Sequence, residues 1–136
     1  LLAYGTLLGG FFSVKYLVKL EPSTADLLTS CLQKYKIMID MWGGWQLFQE
    51  LLFTMEQIAK KHDTSIANVA TRFVLDRPEV AGVIIGARLG ITNHISDNLR
   101  VFSLKLDSDD YEKIKSVTSK SNDLFDAIGD CGDEYR

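Results

Sequence analysis

The chain has 136 residues, 46% of them hydrophobic, which suffices for one globular domain and excludes a disordered, collagen-like or disulfide-built segment. A net charge of −3 and a pI near 5.3 deny it the basic face that a nucleic-acid partner requires. No apolar run approaches the roughly 20 residues of a membrane span, and Cys31 and Cys131 match neither a metal spacing nor C-x-x-C, as suits a reducing, cytoplasmic setting.

Leu1–Tyr4 is an apolar run closed by Gly5, with Gly9-Gly10 marking the loop after it; this suits a strand buried on both faces of a parallel sheet. The opening "LLAYGTLLGGFF" lacks the basic leader of a signal peptide, and a start in mid-strand without Met reads as part of a longer protein. The spacing of Leu27, Leu28, Leu32, Tyr35, Ile39 and Trp42 predicts a helix from Ser23 to about Trp42, capped by Ser23 or Thr24 and ended by Gly43-Gly44. A second helix runs from about Trp45 to His62, with Leu47, Phe48, Leu51, Leu52, Met55, Ile58 and Ala59 on one stripe. Thr64 or Ser65 caps a third, which ends before Arg77 because Pro78 disfavours helical geometry there.

Val80–Ile85 reads as a fully buried strand. Thr92 is a cap for a short helix through His94, Ile95 and Asn98, and Asp107-Ser108 begin the last helix, whose first turn is acidic as the helix dipole favours. The final segment, "NDLFDAIGDCGDEYR", is acidic and Gly-broken and reads as a surface tail. Strand, helices, strand, helices is an α/β order with parallel strands. Two strands make no stable sheet alone, so the chain either dimerises through them or belongs to a larger fold; the second is the expectation.

The chemistry concentrates in "VAGVIIGARLGITNHISDN". A strand that delivers Gly86, Ala87 and Arg88 towards a helix N-terminus has the form of a phosphate-binding corner. Arg88 carries a permanent charge on a planar fork that matches phosphate oxygens; a surface ion pair is the plainer alternative. His94 and Asn98, four apart, share a helix face that suits an adenine and a ribose phosphate, or is simply solvated, and Asp97 can accept from an adenine amino group or serve only solubility. Gly5, Gly9 and Gly10 with Thr6 match neither G-x-G-x-x-G nor the P-loop. Trp42, Trp45 and Tyr35 line an apolar mouth or pack the core. His62 reads as an exposed helix end, and Asp126, Asp130, Asp133 and Glu134 as a solvated tail rather than a metal loop. No Ser-His-Asp set and no metal cluster stands out.

Taken together, "AYGTLLGGFFSVKY", "SIANVATRFVLDRPEVAGVIIGAR" and "HISDN" resemble the C-terminal part of the aldo/keto reductases, (β/α)8 TIM barrels that use NADP(H) to interconvert carbonyls and alcohols. The resemblance makes Leu1–Tyr4 the seventh barrel strand and Val80–Ile85 the eighth, so the fold expected is the C-terminal part of a barrel, incomplete in this chain. It implies that Leu7, in a turn where Gly5-Thr6-Leu7 stands for the family's Ser-Pro-Leu, contacts the cofactor pyrophosphate. It further implies that Gly86, Ala87 and Arg88 grip the adenosine 2′-phosphate, with Ile85 in place of a family Pro, and that His94, Asp97 and Asn98 complete the adenosine site. The family's tetrad of Asp, Tyr, Lys and His lies on the first four strands, and no Tyr here matches its motif. The expectations are therefore a small carbonyl or alcohol substrate, a missing N-terminal half of the barrel, and no catalysis by this chain alone. The alternative is a non-catalytic NADP(H)-binding subunit or an inactive truncated product.

Overall fold

A computed structural model describes residues 1–87 and 94–129. In chain order the elements are β1 (Leu2–Tyr4), α1 (Ser30–Trp42), α2 (Gly44–Lys61), α3 (Ile66–Leu75), β2 (Gly82–Ile84), α4 (Ile95–Leu99), α5 (Ser108–Thr118) and α6 (Leu124–Ile128). Single 3-10 turns lie at Leu8–Gly10, Val14–Tyr16, Thr24–Asp26 and Arg100–Phe102.

The centre of the molecule is α2, which packs against α1, α3 and α5. Its apolar stripe is the one the spacing predicts, except that Trp45 rather than Leu47 is the buried residue of the first turn. Ile66, Val69 and Ala70 of α3 and Ile114 and Val117 of α5 close on that stripe. Fully burying a side chain such as Leu52 stabilises by about 1.5–3 kcal/mol. Phe11, brought in by the loop after β1, is enclosed by Tyr16, Trp45 and Phe48 at ring-centre distances of 4.6, 6.0 and 6.1 Å. Gly44, at φ +83°, lets the chain reverse directly from α1 into α2.

Three expectations need correction. The first long helix begins at Ser30, not Ser23. Ser23 and Asp26 do form a reciprocal cap, but it closes only the 3-10 turn Thr24–Asp26; Leu27 is then extended and Thr29 caps α1 by accepting from Leu32 N. Leu28, assigned to the apolar stripe, consequently stands 93% exposed while Leu27 is buried. The strands are shorter and barer than their composition suggests. Leu2 and Tyr4 are 67% and 65% exposed and Ile84 58%: among the described residues the sheet has two strands, and α3, which contacts β2, leaves this face bare. The segment after α5, read as a tail, folds in part: Asn122 bonds back to the carbonyls of Trp42 and Met41, and α6 follows, capped by Asp123.

Candidate cofactor site

β1 and β2 pair in parallel with Leu2 opposite Gly82, Ala3 opposite Val83 and Tyr4 opposite Ile84. Their C-terminal ends are thus level, and the two exit loops leave the sheet side by side. In the first loop Gly5, at φ +73°, starts a turn closed by Leu8 N donating to Gly5 O at 2.9 Å. A Cβ on Gly5 would collide with the Tyr35 hydroxyl, and one on Gly9 would press on Cys31 and the Tyr35 ring, so α1 lies directly beneath this loop. Leu7 is half-buried against the core, and its carbonyl accepts from Gly10 N at 2.8 Å and Phe12 N at 3.3 Å.

In the second loop Gly86 and Ala87 are exposed, and among the described residues nothing lies within 4 Å of where a Gly86 Cβ would stand. Such a bare backbone beside a second glycine-bearing turn fits a phosphate-bearing ligand, which needs amide groups and room. Arg88 and Thr92 lie outside the described residues.

His94 is exposed and immediately precedes α4, so the helix face shared with Asn98 is the single turn closed by Asn98 N donating to His94 O at 2.8 Å. The side chains of His94 and Asn98 have no hydrogen-bond partner among the described residues. Asp97 is engaged differently. Its Oδ2 accepts from Ser65 Oγ at 2.8 Å, its carbonyl accepts from Asn68 Nδ2 at 2.9 Å, and Arg100 Nη1 approaches Oδ1 at 3.5 Å. Asp97 therefore ties α4 to the N-terminus of α3, an anchoring role that its sequence neighbourhood does not reveal.

The aromatic mouth resolves into separate parts. Trp45 is buried, its indole N–H donating to Lys19 O at 2.9 Å, and Tyr35 supports the first loop. Trp42 borders an apolar cavity of about 270 Å³ together with Thr6, Phe48, Met55, Phe73 and Leu124. The Thr6 hydroxyl is buried there without a partner.

His62, read as an exposed helix end, instead faces the fully buried Asp110, with Nε2 2.7 Å from Oδ2. His62, Asp107 and Asp110 bring ligand-type atoms within 4.8 Å of one another. A cation already serves this cluster: Lys61 Nζ donates to Asp107 at 2.6 Å and Asp110 at 2.8 Å. Donating to those two carboxylates raises the Lys61 pKa well above its usual value, outweighing desolvation. Nearby, burial and the Asp76 hydrogen bond push the Tyr111 phenol up to about 12.

The sequence model of the aldo/keto reductase family matches residues 1–119. The chain belongs to the aldo/keto reductase family. Its members are oxidoreductases that act on carbonyls and commonly use NAD(P)H, and their fold is the (β/α)8 barrel. Two level parallel strands with helices between them are what two consecutive units of such a barrel contribute. No curated protein compared with the chain matches it. Among the described residues, no helix is long and apolar enough to cross a membrane.

Proposed function

We propose that this chain is the C-terminal portion of an NADP(H)-dependent aldo/keto reductase and furnishes the adenosine-phosphate and pyrophosphate contacts of its cofactor site. The supporting observation is the level parallel pairing of β1 and β2, which sets the Leu7 turn beside Gly86 and Ala87. In (β/α)8 barrels, phosphate groups are bound by the loops after the last two strands. Leu7 meets the pyrophosphate. Gly86, Ala87 and Arg88 hold the 2′-phosphate, and His94, Asp97 and Asn98 border the adenosine. NADP(H), when bound, supplies the hydride exchanged with a small carbonyl or alcohol. This chain's residues bind and orient it, in a cytoplasmic protein, and the groups that move the proton come from preceding barrel units.

Two assays test the proposal. This chain alone should leave NADPH unoxidised in the presence of aldehydes and ketones, whereas the same chain joined to its preceding barrel units should oxidise it. NADPH binding by the joined protein without turnover would favour a non-catalytic, cofactor-holding subunit. Absence of NADPH binding by the joined protein would reject the cofactor assignment.

A further inference from the structure

A second polar site lies away from the cofactor corner. The α2–α3 turn and the segment from Arg100 to Lys105 enclose a pocket of about 100 Å³ lined by His62, Thr64, Arg100, Ser103, Leu104 and Lys105. We propose that this pocket binds a small phosphate-class oxyanion.

Its volume is that of about three waters at roughly 30 Å³ each, the scale of one tetrahedral anion rather than a metabolite. Its only apolar lining residue is Leu104, and two permanent cations, Arg100 and Lys105, border it. Arg100 donates to the Asp63 carbonyl, which fastens the α2–α3 turn to the far wall, and its Nη1 lies 3.5 Å from Asp97. Five N–H donors make up a guanidinium, so donors remain for a ligand. Lys105 has no ion-pair or hydrogen-bond partner among the described residues. Thr64 lines the same wall, and its hydroxyl is buried without a partner.

Two of the neighbouring carboxylates are already engaged. Asp110 is held by Lys61 and faces His62 from the far side, and Asp97 is shared between Ser65 and Arg100. Two cations of one segment facing the α2–α3 turn suit a ligand that accepts hydrogen bonds in several directions, as phosphate oxygens do. A metal ion would be repelled.

The test is a titration of the whole chain, followed through its backbone amide signals, with sodium phosphate against sodium chloride at equal ionic strength. Phosphate should give saturable shifts at residues 62–64 and 103–105. Lys105→Gln should weaken binding up to about fivefold, as for an exposed charge, and Thr64→Val should weaken it without unfolding the turn. A phosphate monoester arm separates the sources: equal binding points to an esterified ligand, and binding of inorganic phosphate alone to the free ion. Adenosine 2′-phosphate should instead shift residues 86, 87 and 98, so the pocket and the cofactor corner can fail separately. Shifts reproduced by chloride, shifts that never saturate, or unchanged affinity in both variants would overturn the proposal.

Discussion

Asp110 is fully buried in the first turn of α5, yet its carboxyl is held below the usual carboxylate range. Burial pushes it up; hydrogen bonds from Lys61, His62 and the Asp107 amide outweigh that. Asp107 is likewise lowered, chiefly by Lys61. A carboxyl depressed in the folded state stabilises above its unfolded pKa of about 3.9, and that contribution disappears as pH falls through the folded value. Urea midpoints should therefore hold steady above about pH 4 and drop below it. Asp110→Ala should cost about 2–3 kcal/mol at neutral pH, discounted for the partly exposed Lys61, and should flatten the acid limb of the profile. An unchanged acid limb would remove Asp110 from this role. The acidic first turn of α5 is legible from the D-x-x-D spacing of its cap. The burial of Asp110 is not, because Lys61 and His62 lie 49 and 48 residues away along the chain.

At the scale of elements, a cap announces where a turn begins and leaves its length open. Ser23 and Asp26 carry a genuine capping box, but it initiates only one 3-10 turn before Leu27 goes extended, whereas Thr29, with no such signature, starts thirteen residues of helix. Ser65 is the case where the local signal and the tertiary role coincide. It accepts from Asn68 N at 3.2 Å to cap α3 and donates to Asp97 at 2.8 Å to hold α4. Ser65→Ala should lose about 1–2 kcal/mol in urea unfolding, the upper end of a cap's contribution because a second bond goes with it. It should also loosen α4, visible as faster amide exchange at Asn98. Normal exchange there would mean that α4 is held chiefly by packing. Gly86 and Ala87 are legible as a small-residue turn after a predicted strand and Leu7 only through the family resemblance; that the two strands exit side by side is not, because their pairing depends on a crossover of many residues, which no local pattern reports.

For the molecule as a whole, the helices bury a core while the sheet remains open. Among the described residues the sheet has two strands, and the exposed Leu2, Tyr4 and Ile84 present apolar surface that favours association. The isolated chain should bind a hydrophobic dye, and Leu2→Lys together with Ile84→Lys should reduce that signal while leaving helix content intact. Within a complete barrel the same pair should be severely destabilising, since both positions would then be buried. Equal effects in the two settings would argue that these strands never enter a larger sheet. The apolar, β-branched composition of Val80–Ile85 suits a strand covered on both faces, and among the described residues too little covers it.

Whether the level exits of β1 and β2 form the phosphate corner of an NADP(H) site is decided by Arg88→Ala in the joined protein. Loss of a charge-assisted hydrogen bond to the 2′-phosphate should weaken NADPH binding by about 1.5–3 kcal/mol and leave NADH binding nearly unchanged. Equal weakening of both cofactors, or of neither, would contradict the account.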